Sequence, residues 1–127
     1  MSKIDKIFKV VEKQWGSERW IALNNIYCLK IIKINKGHRC SLQYHEYKTE
    51  TTYISEGRAK VWLKRKDDVD MVVFEDCGPG TVLNLKPLDI HRIEALEDLI
   101  LIEASSNETW DVCRLSDDYN REGTSDP

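Results

Sequence analysis

What most constrains this chain is its punctuation. Short apolar or alternating runs, each closed by glycine, asparagine, aspartate or proline, recur from end to end, and no segment keeps a 3.6-residue apolar period. That pattern predicts an all-β protein of about ten short antiparallel strands in a sandwich or barrel. The runs at 7–12, 19–23, 26–34, 51–54, 58–65, 69–74, 81–85, 99–104 and 112–115 read as strands. Asn24-Asn25 tolerates turn conformations, so 19–23 and 26–34 read as a hairpin. The second of these is too apolar for a strand with one wet face and is expected at the centre of a sheet. Ala59, Val61 and Leu63 alternate with Lys60, Trp62 and Lys64, giving one core face and one wet face. Trp15 is expected in the core, and Trp62, Met71 and Phe74 in the core or at a subunit interface.

The 127 residues suit one domain over 1–121, with a mobile tail over 122–127, where nothing is available to bury. A formal charge of -3 and a pI near 5.6 supply no basic field for a phosphodiester backbone, so nucleic acid is not an expected partner. The four cysteines form no Cys-x-x-Cys pair, and the first residues carry charge where a signal peptide needs an apolar run. No stretch approaches a membrane span. A soluble cytoplasmic protein with reduced thiols is therefore expected.

The chemistry concentrates in residues 37–57, bounded by Gly37 and Gly57. Gln43 and His45 are two apart, so on an extended strand their side chains leave one face about 6.6 Å apart and can share a ligand. Glu50 follows across a short polar segment, and His91 stands after a second glycine-bounded stretch. One amide oxygen, two imidazoles and one carboxylate make a donor set for a divalent transition metal with positions left open for substrate. Cys40, three residues before Gln43, is expected on the opposite strand face. Lys36, His38 and Arg39 form a small basic group that would receive a phosphate if it faced the barrel mouth and would otherwise be a solvated loop.

The order glycine, Gln-x-His, glutamate, glycine and distant histidine resembles the two motifs of the cupin family. Ser41-Leu42-Gln43-x-His45 is similar to the phosphomannose isomerase branch, type II in particular, since Gln43 stands where most cupins have their first histidine. Gln14-Trp15-Gly16, His91-Arg92-Ile93-Glu94, Asp111-Val112-Cys113-Arg114-Leu115 and Asp118-Tyr119-Asn120-Arg121 extend the resemblance over about 11–121. The usual glycine of the second motif is missing before His91. The resemblance implies a jelly-roll barrel and a homodimer. It also implies a metal-dependent aldose–ketose isomerase acting on a mannose-6-phosphate-like sugar or sugar phosphate. Type II enzymes carry this cupin behind a guanylyltransferase domain, whereas here it is expected to stand alone. A cupin dioxygenase and a non-catalytic carbohydrate-binding cupin stay open as alternatives.

A site of Gln43, His45, Glu50 and His91 carries one protein negative charge and leaves its metal Lewis-acidic, and Zn, Mn, Fe, Co or Ni would all suit it. The resemblance further implies three catalytic helpers. Lys48, in a Lys-x-Glu arrangement, would donate to a substrate oxygen, Glu103 would be the acid–base group, and Arg114 a cation near substrate oxygens or phosphate. As plain structural residues, Lys48 would be a solvated turn residue, Glu103 an ion-pair partner and Arg114 a staple for the C-terminal segment.

Overall fold

The computed structural model describes residues 4–7 and 9–122. The expected mobile tail, Glu122 excepted, lies outside the described residues. Eleven strands and no helix occur among them. In chain order they are β1 (Lys9–Lys13), β2 (Gly16–Leu23), β3 (Tyr27–Ile34), β4 (Leu42–Tyr44), β5 (Glu50–Glu56) and β6 (Ala59–Lys64). Then follow β7 (Val72–Cys77), β8 (Val82–Leu85), β9 (Ile90–Ala95), β10 (Leu99–Ser106) and β11 (Cys113–Ser116). All pairings are antiparallel, in a six-stranded sheet of order β1-β2-β3-β10-β5-β8 and a five-stranded sheet of order β11-β4-β9-β6-β7. No helix is long and apolar enough to cross a membrane among the described residues.

The core lies between the sheets. Ile34, Ile54, Leu83, Leu99 and Leu101 of the larger sheet meet Ala59, Val61, Ile93 and Ala95 of the smaller one, with Trp15 at one margin. Strand alternation explains the selection: in β6, Ala59 and Val61 are buried while Lys60 and Trp62, which alternate with them, are half-buried and face outward. The hairpin at Asn24 forms as expected, because the Asn24 side-chain oxygen accepts hydrogen bonds from the backbone N–H groups of Ile26 and Tyr27 at 2.8 and 3.0 Å. β3 takes the third place in its sheet, and its outward residues Leu29 and Ile31 are half-buried.

Gly57 turns the chain from the larger sheet to the smaller. Its φ is +87°, and a Cβ there would lie 2.2 Å from the Asp98 carbonyl oxygen, so no other residue fits.

One expected strand is corrected. The strand expected at 69–74 is Val72–Cys77. Arg65 and Asp68 close a tight turn by reciprocal backbone and side-chain hydrogen bonds, and pairing with β6 starts only at Leu63 opposite Val72. Of the two places expected for Phe74, the core is excluded, because β7 is an edge strand and Phe74 is 47% exposed, and a subunit interface stays open to it.

Candidate metal centre and its cavity

Two rows of side chains cross the inner face of the larger sheet. In one, Lys9, Trp20, Lys30, Glu103, Thr52 and Leu83 stand opposite one another in register on β1, β2, β3, β10, β5 and β8. In the next, Cys28, Ser105, Glu50 and Leu85 are aligned in the same way. On the facing sheet a third row runs Arg114, Gln43, His91 and Leu63 over β11, β4, β9 and β6. The rows enclose a cavity of about 400 Å³ lined by, among others, Gln43, His45, Lys48, Glu50, His91, Glu103 and Arg114. All seven residues expected at the site thus line one space.

His45, Glu50 and His91 are buried, and one ligand atom of each lies within 4.8 Å of the others. Nε2 of His45 is 3.0 Å from Oε1 of Glu50, and Nε2 of His91 is 3.3 Å from the same oxygen. The rings are 5.3 Å apart and tilted by 46°. Their tautomers follow from their other partners. Nδ1 of His45 faces the Asp111 carbonyl oxygen and Nδ1 of His91 faces that of Asp89 at 3.1 Å. A carbonyl can only accept, so each Nδ1 carries its hydrogen, and the other ring nitrogen, Nε2, is the one turned toward Glu50. With a metal in place of the hydrogens between them, two imidazole lone pairs and a carboxylate oxygen would converge on one point, a donor set that suits a divalent cation. Oε2 of Glu50 is buried without a hydrogen-bond partner, with the Lys48 ammonium 3.6 Å away. The three groups therefore fit a metal ion.

Gln43 stands opposite His91 and lines the cavity, with its side-chain oxygen accepting from the Ser41 hydroxyl at 2.5 Å. The turn missing its glycine is closed by a leucine: Leu88 adopts φ +74°, and its N–H donates to the His45 carbonyl at 2.7 Å. That hydrogen bond ties the two histidine-bearing segments together.

The electrostatics separate the two carboxylates. Burial works to raise Glu50, but the Glu103 carboxyl, the Lys48 ammonium and the two imidazoles outweigh it and hold Glu50 well below the usual range. Glu103 moves the other way: burial, then the charge of Glu50, push it up to about 8. Burial opposes the charge on Lys48, yet Glu103 and Glu50 prevail and hold its ammonium above the usual lysine range.

Cys40 departs from expectation. Arg39 bridges Glu94, but Gln43 pairs with His91, so three residues (40–42) oppose only two (92–93). The extra residue is a bulge that reverses the alternation. Cys40 consequently lines the same cavity as Gln43, and its sulfur accepts from the Ile93 N–H. The basic group before the motif is also elsewhere: Arg39 pairs with Asp118 at 2.7 Å, His38 meets the Tyr119 hydroxyl at 2.7 Å, and neither they nor Lys36 line the cavity.

Residues the motif did not suggest complete the site. The Asp111 carboxylate accepts the backbone N–H groups of Glu46, Tyr47 and Lys48 at 3.1, 2.7 and 2.9 Å, which fixes the loop between His45 and Glu50. Lys9, Lys13, Glu18, Trp20 and Lys30 form the far wall. One signal was present in the sequence: Lys30 shares strand parity with the inward-facing Cys28, Ile32 and Ile34.

A family profile described as mannose-6-phosphate isomerase C-terminal matches residues 2–117. No curated protein matches the chain by sequence. Among solved structures, KdgF from Halomonas sp. superposes with a TM-score of 0.66 at 18% identity, over 79% of this chain and 86% of that one. An oxalate decarboxylase from Bacillus subtilis gives 0.73 at 15% identity over 91% and 33%. The Lactobacillus farciminis oxalate decarboxylase formate complex gives 0.69 at 23% over 84% and 33%. The chain spans about a third of the decarboxylases and most of KdgF, and these likenesses are of fold: the cupin jelly roll.

Proposed function

The chain belongs to the mannose-6-phosphate isomerase C-terminal family, and with that as premise we propose that it is a metal-dependent isomerase interconverting an aldose and a ketose, a mannose-6-phosphate-like sugar or sugar phosphate. The observation that carries this reading is the convergence of two imidazole Nε2 atoms on one oxygen of Glu50 inside a cavity large enough for a hexose. His45, Glu50 and His91, joined by Gln43, would hold the metal, and a bound divalent ion would supply Lewis acidity to substrate oxygens.

The chain's own residues would do the rest. Glu103, pushed up to about 8, keeps both protonation states within reach near neutrality: neutral, it can give a proton to a carbonyl oxygen, and ionised, it can take one from carbon on the way to an enediol. Lys48, charged and buried beside Glu50, would donate to a ring or carbonyl oxygen. Arg114, in register with Gln43, would orient the substrate's oxygens. Burial of Lys48 and Arg114 limits water beside the proton's path.

Four free cysteines support a reducing, cytoplasmic setting, and exposed Val72, Val73 and Phe74 on edge strand β7 suit a homodimer contact. One domain over 1–121 is the unit we assign this activity.

The test is anaerobic conversion of mannose 6-phosphate to fructose 6-phosphate, lost with a chelator and restored by one of Zn, Mn, Fe, Co or Ni. Metal-dependent oxygen consumption without isomerisation would favour a dioxygenase instead, and sugar binding without turnover under any of the five would leave a carbohydrate-binding cupin.

A further inference from the structure

We propose that Lys9, Lys13 and Lys30, on the wall of the cavity built by β1, β2 and β3, recognise the phosphate monoester group of the substrate, so that the site takes an anionic sugar in preference to a neutral one. This rests on the isomerase reading for the identity of the sugar, but not for the anion.

The wall follows from strand parity. Lys9 stands opposite Trp20, and Trp20 opposite Lys30, so their side chains share the inner face, with Lys13 and Glu18 on the same face of β1 and β2. The ammonium groups of Lys9 and Lys30 lie 4.7 and 4.1 Å from the indole centroid of Trp20, which spaces them apart. Among the described residues Glu18 is the carboxylate within 4 Å of these ammonium groups, and Glu103 stands across from Lys30 on β10: the Glu18 oxygens are 3.4 Å from the Lys30 ammonium and 3.8 Å from that of Lys13, and one also accepts from the Trp20 indole N–H at 3.2 Å.

Charge does not balance at this wall. Among the described residues Lys13 and Lys30 share one carboxylate within 4 Å, Lys9 has none at that distance, and the side chains of Lys13 and Lys30 are only 5% and 9% exposed. A purely structural role would pair each buried lysine with its own acid or replace it with an apolar residue, as Ile32 and Ile34 do farther along β3. Burial, with Lys30, Arg114 and Arg121 adding to it against Glu18, holds the Lys13 ammonium below the usual lysine range, the state of a cation short of counter-charge. A phosphate monoester carries about -1.5 to -2 charges at neutral pH and three acceptor oxygens, which suits ammonium groups that share one close carboxylate.

The test is calorimetric titration of the metal-loaded full chain with mannose 6-phosphate, mannose and inorganic phosphate, with metal content measured for every variant. Mannose 6-phosphate is expected to bind at least about tenfold tighter than mannose, and inorganic phosphate to compete with it. Lys13→Met and Lys30→Met should each weaken mannose 6-phosphate by about tenfold while leaving mannose unchanged, as expected when a charge-assisted hydrogen bond is lost. Exposed Lys9→Met, which threatens the fold least, should act in the same direction. Glu18→Gln should tighten the phosphorylated ligand, because it removes the competing carboxylate; a merely structural Glu18 would do the opposite. Equal affinity for the two sugars, or parallel loss of both in the lysine variants, would overturn the proposal. Lysine-dependent binding without conversion to fructose 6-phosphate would leave this wall standing and remove the isomerase reading. Equal turnover of mannose and mannose 6-phosphate, indifferent to the lysines, would do the reverse.

Discussion

Glu103 stands directly across from Lys30 in the register of β10 and β3, at the junction between the lysine-bearing wall and the histidine cluster. Its carboxyl is pushed up to about 8 by burial and by Glu50, and only partly pulled back by Lys48 and Lys30. Glu103→Gln keeps the size and the neutral form's polarity but cannot exchange the proton. Turnover of mannose 6-phosphate should fall by roughly 10²–10⁴-fold, while metal content stays at the wild-type level. Steady-state kinetics paired with elemental analysis checks this, and full activity in the variant would remove Glu103 from the chemistry.

Metal removal should be visible in stability as well as activity. A ligand bound only by the folded state at about a hundred times its dissociation constant stabilises by about 2.7 kcal/mol. Addition of Zn or Mn to chelated protein should therefore raise its melting temperature, and His45→Ala should abolish both the rise and the stoichiometric metal. Retained metal in His45→Ala would contradict the assignment of this group of residues.

Asp111 is 5% exposed, and its carboxylate holds three consecutive backbone N–H groups beside His45. Asp111→Ala leaves those donors without their acceptor and should cost about 2–4 kcal/mol by denaturant unfolding, with weakened metal affinity because the His45-to-Glu50 loop loses its anchor. An unchanged unfolding midpoint would show that water replaces the carboxylate.

Acid sensitivity should come in part from Asp117. This buried carboxylate accepts from the Arg121 backbone N–H at 2.8 Å and from its guanidinium at 2.8 and 3.2 Å. Burial raises its pKa, but these bonds outweigh burial and set it below the usual value of 3.8. A folded-state value below the unfolded one means stability that is present above the unfolded pKa and lost as pH falls through the folded one. Asp117→Asn should be less stable than wild type at pH 6, and the gap should narrow below about pH 4. Chemical denaturation at both pH values measures it; a gap that widens in acid would reverse the sign.

At Gly57 the backbone leaves no choice. With φ at +87° and the Asp98 carbonyl in the place of a Cβ, Gly57→Ala should destabilise by more than about 2 kcal/mol. Thermal or denaturant melting decides, and a neutral outcome would require the turn between β5 and β6 to have moved.

The strands and the donor motif were legible in the sequence because each rests on local periodicity: alternation for β6, a turn pair for the β2–β3 hairpin, two-residue spacing for Gln43 and His45. What was not legible depended on how one strand meets another. The start of β7 is decided by its pairing with β6, and the face on which Cys40 lies is decided by a bulge against β9 that adds a residue no local pattern announces. For Lys36, His38 and Arg39 sequence leaves a phosphate site and a solvated loop both open, and what keeps Arg39 and His38 out of the cavity is pairing with Asp118 and Tyr119, residues distant in the chain.

By itself the order of residues determined that this protein is built of short antiparallel strands and carries the donors of a metal site, since both follow from side-chain alternation and residue type over a few positions. Tertiary structure alone decided that the far wall is lysine-rich, that Glu103 faces Lys30, and that Asp111 secures the loop between His45 and Glu50. Cross-strand register and burial create those relationships between residues distant in the chain, and register is a property of the paired sheets.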